Sequence, residues 1–172
     1  GEVDTRIQIV QFSETGRHGS DGKLFSDSPG FSFSITPIRP NSYGKITQRN
    51  RETKIDPNYL SADSDIELLK KGINFCLKLL RTEPFIGMVK EILQEERIRE
   101  NPAAYIKENI FSGHHLIGGT SSLINNDFSI KDFPRTFVCD ASVFSDYAAS
   151  NIHSSVVLLA DMFAKSFIRR FS

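Results

Sequence analysis

Hydrophobic and polar positions alternate near the start of the chain. Arg6 to Phe12 mixes β-branched and polar residues in rough alternation. Phe31, Phe33 and Ile35 fall on one face of an extended segment, with Ser32, Ser34 and Thr36 on the other. A period of two predicts strands with one buried face. Ser13 to Gly30, between them, is rich in Gly, Ser and Asp and reads as a surface loop carrying a solvated His18. After the turn-forming Pro40-Asn41-Ser42, Gly44 to Gln48 and then Ile55 to Tyr59 are further extended pieces. A small antiparallel sheet is the expectation.

The period then lengthens. Ile66, Leu69, Ile73, Cys76, Leu77 and Leu80 follow helical spacing behind the N-cap candidates Asp63 and Ser64, so this helix should lay one face on the sheet. Phe85, Met88, Val89 and Ile92 predict a second helix, and Asn101-Pro102 supplies the N-cap and N1 of a third, through about Ile110. All three are expected in the core. Beyond them lie a Gly- and His-containing loop (112–120), a polar loop, an apolar strand from Thr136 to Cys139, and an apolar helix from about Ser154 to Arg170. The expected fold class is α+β: an antiparallel sheet with helices packed on one face, followed by a C-terminal strand–helix segment.

Composition narrows the function. With 39% apolar residues and 14 Phe, 172 residues can bury a real core. Lys plus Arg equals Asp plus Glu at 21 each, so no global field draws the chain to nucleic acid or an anionic membrane. A small, weakly charged substrate is the default partner. Cys76 and Cys139 sit in apolar segments without CxxC spacing and read as buried, reduced thiols, not as a zinc site. The longest clean apolar run, Val156 to Ala160, is too short to span a bilayer, and a soluble, cytoplasmic protein is expected. The chain opens on Gly1-Glu2-Val3-Asp4-Thr5 and passes almost at once into a strand, which reads as a fragment or a processed chain.

Three segments could carry chemistry. Gly113-His114-His115-Leu116-Ile117-Gly118-Gly119-Thr120 sets two imidazoles between glycines, where backbone can approach a ligand closely; equally, a His there could satisfy loop backbone groups. Val138-Cys139-Asp140-Ala141-Ser142 ends a strand in Asp and small residues, which suits a ligand or simply a turn. Ser150-Asn151-Ile152-His153-Ser154-Ser155 opens an apolar helix whose first amides favour negative charge, although Asn151 or Ser154 could be there as plain caps. A Ser-His-Asp hydrolase lacks its GxSxG elbow.

Taken in order, HLIGGT from His115, FVCDASVF from Phe137 and SNIHSSVVLLA from Ser150 resemble the carboxy-terminal signature of the glucose-methanol-choline (GMC) oxidoreductases. Upstream, Pro40-Asn41-Ser42-Tyr43-Gly44 is similar to the family's Pro-x-Ser-x-Gly segment, and Pro57-Asn58-Tyr59-Leu60 with Asp65 to its Pro-x-Tyr-Leu segment. The resemblance covers roughly residues 6 to 170. It implies a substrate-binding domain over 1–111, and over 112–172 a catalytic loop plus the strand and helix that complete an FAD-binding domain.

It also implies an FAD enzyme that oxidises a small-molecule alcohol by passing hydride to the flavin. His115 would be the base, selected over His114 because Gly118 follows at x-x-Gly, and His153 its partner on the substrate oxygen. Asp140 and Ala141 would contact FAD mostly through backbone, and the helix start at His153, Ser154 and Ser155 would face the flavin. A hydroxynitrile-lyase-like member, or an inactive isolated fragment or binding module, are the alternatives. The chain departs from the family in continuing Gly119-Thr120 with Ser121-Ser122-Leu123, in a shorter loop before Thr136, and in Ser145-Asp146-Tyr147 after Asp-Ala-Ser. No GxGxxG occurs in the 172 residues, so FAD binding would need the N-terminal FAD-binding portion of the same protein, and the chain alone would be inactive.

Overall fold

The structure is a computed structural model and describes residues 4–11, 29–148 and 151–171; the Ser13–Gly30 loop with His18, and Ser150, fall wholly or largely outside them. The chain divides into two compact units, Gly1–Tyr43 with Asn58–Phe111, and Gly44–Pro57 with Ser112–Ser172.

In the first unit, β1 (Thr5–Val10) pairs antiparallel with β2 (Ser32–Pro37), placing Ile7 opposite Ile35 and Ile9 opposite Phe33. The helix α1 (Asp63–Leu79) packs on this pair through the face its spacing predicts: Ile66, Leu69, Cys76 and Leu77 are buried. Gly72 faces the sheet, where a Cβ would come 2.6 Å from Ile35 Cγ2, so the missing side chain lets helix and strand approach. Ile66 and Leu69 meet Ile106 of α3 (Pro102–Asn109) in the core, with Ile35, Leu60 and Ile110 around them. Asn101 caps α3 as its sequence predicts, accepting from Ala104 N at 3.0 Å with Pro102 at the first helical position.

Three local expectations change. Neither Asp63 nor Ser64 caps α1; Ala62 stands at that position without a side-chain bond, and Asp65 turns away to the 41–42 segment. The second helix shrinks to one 3-10 turn, Phe85–Gly87. Gly87 interrupts the run, and Ile86 and Met88 are exposed, so no packed face repays helix formation. A short α2 (Glu95–Glu100) forms instead, led by acidic residues that suit a helix start. Arg99 first and then Arg81 bond Glu95 and hold its carboxyl below the usual range.

The second unit holds a hairpin of β3 (Lys45–Arg49) and β4 (Glu52–Asp56) that turns through left-handed Asn50 and Arg51. Gly44, just before it, lies so close to the Asp56–Pro57 backbone that a Cβ would come 2.7 Å from Pro57 Cα. The polar loop also contains strands: β5 (Ser129–Ile130) pairs with β6 (Phe133–Phe137), so the strand expected over Thr136–Cys139 lies a few residues earlier. The helix α4 (His153–Phe171) packs Phe163 and Phe167 against Phe128 and Phe137 in edge-on and tilted contacts. Arg170 closes this cluster, its guanidinium 5.9 Å from the Phe137 ring centroid and bonded to Asp127.

The described strands thus make three separate antiparallel pairs in place of one small sheet, within an α+β fold. No helix of the described residues is long and apolar enough to cross a membrane.

Candidate active site

The loop carrying the two histidines bends twice through the left-handed region, at His114 (φ 58°) and at Gly118 (φ 87°). His114 N donates to Ser112 Oγ at 3.0 Å, and the Gly118 carbonyl accepts from Ser121 N at 3.3 Å and Ser121 Oγ at 3.0 Å. His115 lies between the two bends and is half-buried, whereas His114 is exposed. A Cβ on Gly113 would lie 4.0 Å from His115 Cδ2, an ordinary contact distance.

After Gly118 the loop meets the segment that follows β6. Thr120 N donates to the Ser142 carbonyl at 3.0 Å, and Thr120 Oγ1 lies 2.7 Å from Ser142 Oγ. Asp140 Oδ1 accepts from both Ser142 N (2.8 Å) and Ser142 Oγ (2.5 Å), capping the 3-10 turn Ala141–Val143. The structure therefore joins the His115 loop to the Asp140–Ser142 turn by hydrogen bonds. Sequence reading gives Thr120 and Ser142 no role, although both lie inside the motifs; a hydroxyl's value is set by which neighbour it meets, and spacing does not state that.

His153 opens α4. Its backbone N donates to Asn151 Oδ1 at 3.0 Å, so Asn151 does act as a cap, and Val156 N bonds the Ile152 carbonyl to begin the ladder. The next two amides, of Ser154 and Ser155, come before any intrahelical acceptor is available to them. Ile152 is buried and fixes the helix start, while the His153 side chain is exposed. No hydrogen bond joins the rings of His115 and His153 among the described residues.

Both cysteines are free. Burial pushes the Cys76 thiol up to about 11, and Cys139 is raised by burial and then by Asp140 beside it. Neither is poised as a nucleophile. No group of three or more His, Cys, Asp or Glu among the described residues could hold a metal ion.

In the first unit, two motif residues to which sequence reading assigns no role meet each other. Asp65, 2% exposed, accepts from Asn41 N (2.8 Å), Ser42 N (2.9 Å) and Ser42 Oγ (2.5 Å), and Ser42 Oγ in turn accepts from Ala62 N (3.1 Å). The Pro-x-Ser-x-Gly segment and the start of α1 are bound together by one carboxylate.

The sequence model of the GMC oxidoreductases matches residues 40–160, and the chain belongs to that family. It is 38% identical over 168 residues to dehydrogenase str4 of Strobilurus tenacellus, covering 81% of this chain and 27% of that protein. It is 23% identical over 167 residues to the oxygen-dependent choline dehydrogenase of Photobacterium profundum, covering 86% of this chain and 29% of that protein. Among solved structures, the R554K formate oxidase of Aspergillus oryzae RIB40, studied for FAD modification, superposes with a TM-score of 0.82 at 17% identity, over 96% of this chain and 31% of that one. The chain spans less than a third of the length of these relatives.

The family's cofactor is FAD, and the residues present suit part of a flavin site. The Ser154 and Ser155 amides at the head of a 19-residue helix favour negative charge, and the Asp140–Ser142 turn is built of small residues capped by the Asp140 carboxylate.

Proposed function

We propose that this chain is the substrate-facing, C-terminal part of an FAD-dependent enzyme that oxidises the CH–OH group of a small-molecule alcohol. Residues 1–111 serve as the substrate-binding domain, and 112–172 as the catalytic loop with the strand and helix that complete the FAD domain. The partner is the N-terminal FAD-binding portion of the same protein. One observation carries the reading: the His115 loop is hydrogen-bonded to the Asp140–Ser142 turn, in the same compact unit as the helix opened by His153. All three segments of the signature thus share one folded body.

FAD, when bound, supplies the acceptor for the hydride. His115 takes the hydroxyl proton of the alcohol on an imidazole nitrogen as the CH bond breaks. His153 hydrogen-bonds the substrate oxygen and orients it. The amides of Ser154 and Ser155, with the α4 dipole behind them, stabilise negative charge delivered to that end of the helix. Asp140 and Ala141 hold the cofactor mainly through backbone, with Asp140 Oδ1 already bonded to Ser142 N and Oγ.

The test uses the full-length, flavin-loaded protein and a panel of alcohols. Bleaching of the oxidised flavin by an alcohol is expected, and His115→Ala should lower turnover at least ~100-fold with FAD still bound. Near-normal turnover of that variant would overturn the assignment. Cyanohydrin cleavage without bleaching by any alcohol would replace it with the lyase alternative.

A further inference from the structure

We infer that Thr120 and Ser142 form a hydroxyl relay, ending on Asp140, that positions the loop bearing His115. The inference rests on the reading of His115 as the base.

Hydrogen counting fixes the direction of the relay. The Asp140 carboxylate accepts, so the single hydroxyl hydrogen of Ser142 is committed to it at 2.5 Å. Ser142 Oγ can then only accept from Thr120, and the Thr120 hydroxyl must donate, at 2.7 Å. Each hydroxyl has one hydrogen and one assigned acceptor. The chain Thr120 to Ser142 to Asp140 is therefore polarised in one sense and ends on a charged group, the stronger kind of hydrogen bond.

Backbone contacts reinforce it. Thr120 N donates to the Ser142 carbonyl at 3.0 Å, so Thr120 is held by both main chain and side chain. A Cβ on Gly119 would lie 3.8 Å from Ser142 Cβ, and one on Gly118 would lie 3.6 Å from the Phe144 carbonyl, so the two segments pack at ordinary contact distance. From this fixed point the chain runs back through the left-handed bend at Gly118 to His115, five residues before Thr120. The Gly118 carbonyl at the bend accepts from Ser121 N and Ser121 Oγ, so a tilt at Thr120 is carried toward the imidazole through a bonded turn. Thr120 and Ser142 are positioning residues, acting through His115.

The experiment uses the full-length, flavin-loaded enzyme with Thr120→Val, Thr120→Ser, Ser142→Ala, His115→Ala and the Thr120→Val/His115→Ala double variant. Thr120→Val and Ser142→Ala should each lower kcat roughly 10- to 100-fold, with KM moving far less, since misplacing a catalytic group by about an ångström has that effect. Thr120→Ser, which keeps the hydroxyl, should restore most of the loss. The double variant should turn over no more slowly than His115→Ala alone, because a relay that acts only through His115 has nothing left to position. In amide hydrogen exchange, the 112–120 segment should exchange faster in Thr120→Val while α1 stays unchanged.

Wild-type kcat in Thr120→Val beside an inactive His115→Ala would overturn the relay and leave the base reading standing. So would deficits that multiply in the double variant. If His115→Ala is itself fully active, the base reading fails, and unchanged exchange over 112–120 would sink the relay separately. Should Thr120→Val not fold, Ser142→Ala in the same cycle carries the comparison.

Discussion

Replacing Asp65 by Ala should destabilise the protein by about 3–5 kcal/mol. The carboxylate is almost fully buried and is the acceptor for two backbone amides and one hydroxyl, at 2.8, 2.9 and 2.5 Å. A hydrogen bond to a charged group contributes about 1.5–3 kcal/mol, and a buried donor left without a partner costs roughly 1–3 kcal/mol. Summing all three at full value would overshoot, because Ser42 Oγ keeps its bond from Ala62 N and can rotate to a new acceptor. The two amides of Asn41 and Ser42 cannot rotate, and they set the magnitude.

A competing explanation is that Asp65 simply complements the α1 dipole from the first turn, which is worth only about 0.3–1 kcal/mol. Asp63 decides between them, since it lies in the same turn but is exposed. Urea titrations followed by far-UV circular dichroism should place Asp63→Ala within about 1 kcal/mol of wild type, with Asp65→Ala far below it. Asp65→Asn should fall between, at about 1.5–3 kcal/mol, because its amide keeps one acceptor and turns a donor toward a donor. Equal effects of Asp63→Ala and Asp65→Ala would refute the network account and leave only the dipole.

Gly44→Ala should destabilise by roughly 1–3 kcal/mol or more, because the new methyl meets the Asp56–Pro57 backbone, which cannot rotate out of the way; the thermal midpoint reports it. Asp127 is held from its ordinary 3.8 down to about 2 by bonds from Ser129 first and Arg170 next. Its folded-state value is the lower one, so its contribution is complete above pH 3.8 and is lost as pH falls toward about 2. The Asp127 carboxyl carbon should titrate there by NMR, and Arg170→Ala should move that titration upward. Cys76, raised to about 11 by burial, should react with a thiol reagent at neutral pH only as fast as the native fold opens; fast labelling in native buffer would contradict its burial.

What was legible in the sequence follows from how local each cause is. The α1 and α3 faces could be read because helical spacing and the Asn101-Pro102 start are short-range signals that tertiary packing then used. The Phe85–Ile92 run carried similar spacing, but packing did not use it: Met88 is 71% exposed and Gly87 sits in the middle. Pattern alone cannot say whether a surface is waiting for the stripe. The β5–β6 pair was hidden for the opposite reason, since β5 has only two residues and Pro134 lies within β6, tolerated because the pair has only edges.

The site divides in the same way. The residue types with a chemistry of their own, His115 and His153, stand out in the sequence, and so does the small-residue turn at Asp140–Ala141. Ser42, Asp65, Thr120 and Ser142 do not, because serine, threonine and aspartate gain their role only from a partner 22 or 23 positions away. Yet these partners explain why the motifs have the form they have. Ser42 is bonded to Asp65 and Gly44 lies against the chain at Pro57, so the two upstream motifs are one packed structure read as two strings. Thr120 and Ser142 do the same for the HLIGGT and CDASVF segments. Within each pair of motif segments, hydrogen bonds across 22 or 23 positions hold the two strings together, and the residues between the obvious catalytic candidates are where that constraint is carried.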